Sequence, residues 1–124
     1  MPITTIGPRL VRRGESEETV VRRESFTQST ATAFQSLALH TDVVRLGVGT
    51  ATGFDRNRYS LASGADELRE KFIHVTGTGE AYLYVAGTST GLFVLNEADD
   101  FVSLKYADGK WRVLSNTATV ATST

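Results

Sequence analysis

Apolar and polar positions alternate with a period of two through most of the chain beyond Thr41. Val44, Leu46 and Val48 alternate with Val43, Arg45 and Gly47, which predicts a half-buried strand. Tyr59-Ser60-Leu61, Phe72-Ile73-His74-Val75, Ala81-Tyr82-Leu83-Tyr84-Val85 and Leu92-Phe93-Val94-Leu95 are further short strands, separated by turns containing Gly53, Gly77, Gly79, Gly87 and Gly91. Ser63 to Lys71 fits a helical turn, because Ser63 and Asp66 mimic a capping box, and fits a loop equally, because Gly64 weakens the helix. Thr30 to Leu39 reads as irregular chain leading into a strand.

The clearest local signal is Asp108-Gly109, set between two alternating runs. A type I′ turn needs positive φ at both central residues, and Asp-Gly supplies it. A two-residue loop fixes the register: Tyr106 faces Trp111, Leu104 faces Val113 and Val102 faces Ser115 on an apolar side. Lys105 with Arg112 and Ser103 with Leu114 form the outer side. Leu104, Tyr106, Trp111 and Val113 are therefore the predicted hairpin core. The hairpin alone is marginal and needs more sheet. Short strands at roughly ten-residue spacing indicate an all-β fold, a small antiparallel β-sandwich or barrel.

Residues 1–36 differ. Neither a helical nor a strand period persists, and both prolines, Pro2 and Pro8, lie here. Arginine pairs Arg12-Arg13 and Arg22-Arg23 bracket Glu15, Glu17 and Glu18, with Glu24 just beyond, and the apolar residues come as Leu10-Val11 and Val20-Val21. Such a segment cannot bury enough apolar area alone to offset its ordering entropy. It is either a loosely attached leader or an extended N-terminal arm that orders against a neighbouring subunit. In the second case Val20, Val21, Phe26 and Phe34 are anchors, and Arg12, Arg13, Arg22 and Arg23 seek carboxylates on the partner. The expected organisation is an arm over 1–36, a β domain over 37–116 and a Thr/Ser/Ala-rich tail over 117–124, with little to bury there except Val120.

At 124 residues the chain is one domain, and its 40% hydrophobic and 22% charged residues are ordinary for a soluble protein. A net charge of −1 argues against a broad electrostatic footprint for nucleic acid. No cysteine is present, which excludes disulfides and thiolate chemistry. No apolar run reaches the roughly 20 residues of a membrane span. The first residues lack the basic-then-apolar layout of a secretory signal, so synthesis and use without processing, in a cytoplasm, is the expectation.

Candidate chemistry is thin. His40 and His74 are not at metal-ligand spacing and read as structural or surface residues. Glu97, Asp99 and Asp100 form an acidic cluster without a calcium-loop signature; its readings are a metal site, a solvated turn with a local backbone bond from one Asp, and a salt bridge to an arm arginine of another subunit. No nucleophile elbow or phosphate loop occurs. Tyr82, Tyr84, Tyr106 and Trp111 could make a sugar platform, against the simpler reading of core and cross-strand packing. No catalytic residue, cofactor or metal is expected.

The closing phrase Asp99-x-x-Val102-x-Leu104-x-Tyr106-x-x-Gly109-x-Trp111-x-Val113-Leu114, preceded by Tyr59-Ser60-Leu61 and Lys71-Phe72-Ile73-His74-Val75, resembles a pattern of tailed-bacteriophage virion proteins. These are head decoration (cement) proteins, head fibres and tail-fibre tips. The resemblance covers roughly residues 41–115 and implies a small β domain that forms a homotrimer, often with an arm reaching a neighbour. It implies a structural, non-enzymatic role as a capsid decoration protein, with the major capsid protein as partner and the capsid surface of the virion as location. The alternative it leaves is a head- or tail-fibre component binding host glycans.

Overall fold

The computed structural model describes residues 21–28, 33–53, 56–88 and 91–121. Among them the regular structure is all β. The strands are β1 (Arg23–Phe26), β2 (Gln35–Ser36), β3 (Val43–Gly49), β4 (Arg58–Leu61), β5 (Glu70–Gly77), β6 (Ala81–Val85), β7 (Leu92–Leu95), β8 (Phe101–Ala107), β9 (Lys110–Asn116) and β10 (Thr119–Ala121).

They form two five-stranded sheets. Sheet A has the order β1-β3-β5-β8-β9, and sheet B the order β10-β7-β6-β4-β2. From β1 to β6 the chain alternates between sheets, so β1, β3 and β5 run parallel in A while β2, β4 and β6 run parallel in B. A parallel pair needs a long crossover, usually a helix. Here each crossover contains a strand of the opposite sheet. The remaining pairings, β5 with β8, β8 with β9, β6 with β7 and β7 with β10, are antiparallel. The all-β expectation holds, but the sheets are mixed where antiparallel ladders were expected. Among the described residues β1 and β9 are outermost in sheet A and β10 and β2 in sheet B, and the sheets do not close into a barrel.

Both sheets turn their alternate residues to one shared core. Sheet A contributes Val44, Leu46, Val48, Ile73, Val75, Val102 and Leu104. Sheet B contributes Tyr59, Leu61, Ala81, Leu83, Val85, Phe93 and Leu95. Burying a Val, Leu, Ile or Phe side chain contributes about 1.5–3 kcal/mol, so this core dominates the stability.

The β8–β9 hairpin turns at Asp108 (φ 57°) and Gly109 (φ 81°), both in the left-handed region that the turn requires. Tyr106 pairs with Trp111, Lys105 with Arg112 and Leu104 with Val113. Beyond Leu104 the register shifts: Ser103 pairs with Ser115 and Val102 with Asn116. The expected Val102–Ser115 and Ser103–Leu114 pairs are thereby corrected. Leu114 is the extra residue of a β-bulge, and it is 55% exposed.

Of the two readings for Ser63 to Lys71 the chain takes the loop over Ser63 to Arg69, and Glu70 already opens β5. Two segments differ from their sequence reading. Two strands, β1 and β2, lie inside the stretch assigned to the arm, and Leu37 just after them is in the core. Thr119–Ala121, expected as tail, adds β10 beside β7.

Candidate functional site

The parallel ladder of sheet A brings the foot of the N-terminal segment against the turn at residues 38–42 and the start of β5. Lys71 is the centre of this junction. Strand alternation puts it on the inner face with Ile73 and Val75, and it is 1% exposed. Its Nζ donates to the Ala38 carbonyl (2.9 Å), the Thr41 carbonyl (2.6 Å) and Thr41 Oγ1 (2.7 Å). All three ammonium protons thus have an acceptor. Burial pushes the Lys71 pKa down to about 8; the Glu24 and Asp42 carboxylates oppose that fall, and Arg69 adds to it. Glu24 of β1 accepts from the Ala38 N–H at 3.2 Å and from Thr41 Oγ1 at 3.1 Å. One network therefore ties β1, the 38–41 turn and β5.

Asp42 fixes the point at which the chain enters β1. The Arg22 N–H donates to Asp42 Oδ2 at 2.9 Å, while the Asp42 and Val43 N–H groups donate to the Arg22 carbonyl at 2.7 and 3.2 Å. Arg69 adds an ion pair of 3.0 Å to Asp42 Oδ1 and reaches Asp66 at 3.3 Å. The Arg22 backbone bond holds the Asp42 carboxyl below its ordinary pKa and Arg69 adds to this, against an opposing effect of burial. Beside the junction lies a groove of about 460 Å³ lined by Val21, Arg22, Asp42, Val43, Arg69 and Phe72, among others. Phe72 is 40% exposed and stacks on Phe101 with ring centroids 5.3 Å apart; His74 lies 5.5 Å from Phe72.

Of the arm residues singled out in the sequence, Arg12, Arg13 and Val20 lie outside the described residues. Val21 and Arg22 line the groove, and Arg23 is exposed on β1. Phe26 turns inward and meets Tyr59 edge-on at 5.2 Å, so its ring packs within its own chain. Phe34 lies under the Arg58 guanidinium at 4.3 Å. In the hairpin, Leu104, Tyr106 and Trp111 are buried, and Val113 packs against the core. Tyr106 and Trp111 meet edge to face at 5.1 Å. Their polar ends are satisfied: the Gly64 N–H donates to the Tyr106 hydroxyl, and Trp111 Nε1 donates to the Ala62 carbonyl, both at 2.8 Å.

The four candidate platform aromatics thus separate. Tyr106 and Trp111 are core, whereas Tyr82 and Tyr84 point outward from β6. Tyr84 is 44% exposed, and the Tyr82 hydroxyl donates to Glu80 Oε1 at 2.8 Å. The acidic cluster is organised by Asp100, which is 7% exposed. Its Oδ2 accepts from the Asn96 and Glu97 N–H groups at 3.0 Å, and its Oδ1 accepts from Thr117 Oγ1 at 2.9 Å. Among the described residues no group of three or more His, Asp or Glu side chains is placed to hold a metal ion. His40 stands 3.9 Å from Asp66 at the surface.

Sequence reasoning missed the Lys71 junction. The signal was there: Lys71, Ile73 and Val75 share one phase of the alternation.

No protein-family model matches this chain, and no curated protein matches it. Its fold is similar to part of a chain in a solved structure described as a chaperone-substrate complex. The TM-score is 0.51 at 15% identity, over 79% of this chain and 19% of that one. The match therefore spans a small part of a much longer polypeptide, and the likeness is one of fold.

Proposed function

We propose that this chain is a structural virion protein of the capsid decoration type, which attaches as an oligomer to the outer surface of a capsid and stabilises the shell. The observation that carries the reading is the anchored foot of the N-terminal segment. Asp42 and Val43 clamp the Arg22 backbone at the edge of sheet A, beside an open groove. Residues 1–20 precede this clamp in the chain, an order that suits an arm reaching the major capsid protein or a neighbouring copy. Each such contact is modest, and repetition over a shell multiplies them. The role is non-enzymatic, and the location is the virion surface after assembly in the host cytoplasm.

The test is a chain lacking residues 1–20. It retains β1, and its far-UV circular dichroism and melting temperature should match the full chain. It should fail to co-sediment with capsids that the full chain decorates. Undiminished co-sedimentation would remove the arm from shell binding. Copy number in purified particles is an independent check, since decoration requires hundreds of copies and a fibre tip only a few.

A second reading, a fibre component that binds host glycans, is favoured by exposed Tyr84 on the outer face of sheet B. Replacing Tyr84 with Ala should then weaken glycan binding and leave the melting temperature unchanged. A fall in melting temperature with no change in binding would assign Tyr84 to packing.

A further inference from the structure

We propose that the acidic stretch Glu15-Ser16-Glu17-Glu18 of one copy docks as an added strand on the β1 edge of a second copy, its carboxylates meeting Arg23 and Arg45. The inference deepens the proposed function and rests on residues 1–20 acting as an arm.

The receiving edge is on the page. Among the described residues β1 is the outermost strand of sheet A and pairs with β3 alone, so its other side presents backbone donors and acceptors. Arg23 and Ser25 alternate outward along β1, and Ser25 sits in register with Arg45 of β3. Ser25 is short, so the Arg45 guanidinium is reachable from the edge. Its Nη1 lies 3.7 Å from where a Cβ on Gly47 would stand, over bare backbone that lines a groove of about 430 Å³. Both arginines are exposed, and among the described residues neither has a carboxylate within salt-bridge distance.

The occupant follows from charge and spacing. Glu15, Glu17 and Glu18 are the acidic residues that precede β1. In an extended strand Glu15 and Glu17 share a face roughly 7 Å apart. The rows of Arg23 and of Ser25 with Arg45 are likewise two residues apart along β1. The stretch belongs to a second copy because it cannot readily fold back on its own β1. Arg22 is already bonded to Asp42 and Val43, which leaves Thr19-Val20-Val21 to reverse the chain. All three are β-branched, and none suits the positive φ of a tight hairpin turn. Extended, residues 19–22 carry the acidic stretch roughly 13 Å beyond the start of β1.

Light scattering on the full chain without capsids tests this. The wild type should self-associate with rising concentration. Glu15→Arg, Glu17→Arg and Glu18→Arg together should weaken association at least about tenfold, as should Arg23→Glu with Arg45→Glu. Combining both sets in one chain should restore it. A wild type that stays monomeric, an association indifferent to either reversal, or no recovery in the combined variant would overturn the proposal. So would a monomer in which the combined variant recovers only melting temperature, since the stretch would then lie on its own β1. Capsid co-sedimentation is read separately. Charge-dependent self-association without capsid binding keeps this inference and removes the shell reading.

Discussion

Lys71 occupies a position where the strand period asks for an apolar side chain, and the surrounding oxygens explain how it is tolerated. Its three acceptors come from one short turn, so the ammonium holds that turn to β5. Replacing it with Met strands the Ala38 and Thr41 acceptors in the interior and should cost roughly 1–3 kcal/mol, measured by urea unfolding. A pH series gives a second readout. The unfolded Lys71 has an ordinary pKa of 10.5 and the folded one about 8. Below about 8 both states are charged and the burial penalty is fully present. Between about 8 and 10.5 the unfolded chain binds more protons, so this residue makes stability rise with pH there. The rise should vanish in Lys71→Met. Asp100 is the matching case for a carboxylate. Asp100→Ala frees two backbone N–H groups and Thr117, and should lower stability by roughly 1–3 kcal/mol in the same assay. Neither role was fully legible in the sequence. A charge next to Glu70 and Arg69 reads as loop until the ladder places it inward, and Asp100 reads like Asp99 until the turn closes.

At the scale of elements, the β8–β9 hairpin shows what local chemistry can specify. The Asp108-Gly109 turn and the pairing of Tyr106 with Trp111 depend on two turn residues and a two-residue period, both visible in the chain. The bulge at Leu114 was not visible. Leu104–Val113 pairs equally well with or without a shift beyond it, and only the wider sheet decides. The difference has a measurable consequence. Leu114→Thr, at a 55% exposed bulge residue, should change stability by no more than about 0.5 kcal/mol. Trp111→Ala, which empties the core end of the same strand and abandons the bond to Ala62, should cost about 3–5 kcal/mol. Equal effects of the two substitutions in chemical denaturation would refute this division of the strand. β1 teaches the converse lesson. Arg23-Glu24-Ser25-Phe26 lacks an apolar alternation, yet Glu24 and Phe26 both face inward and find partners, one in hydrogen bonds and one against Tyr59.

For the whole molecule, all-β architecture and the core positions from Val44 to Leu104 followed from alternation, whereas strand direction did not. A strand covered on one face alternates alike in parallel and antiparallel ladders, so β1, β3 and β5 carried no mark of their common direction. β10 was hidden for another reason: Thr119, Val120 and Ala121 look like a polar tail, and their place is set by the open edge of β7. Stopping the chain after Ala118, which keeps the Thr117 bond to Asp100, exposes that edge and uncovers the neighbourhood of Leu92, which is 4% exposed. The shortened protein should melt about 5 °C lower and aggregate sooner in a heating scan. An unchanged melting curve would show that β10 contributes nothing.

The winding from sheet to sheet also governs timing. As the polypeptide leaves the ribosome, none of β1 to β5 can pair with the strand next to it in the chain. β1 to β4 each take a partner two strands later, and β5 takes β8 on its other side. The first hairpin available, β6 with β7, is complete only at Leu95, after three quarters of the chain has been made. Until then the newborn protein can form only pairs that skip a strand, each closing a long loop, and much of its apolar surface stays bare.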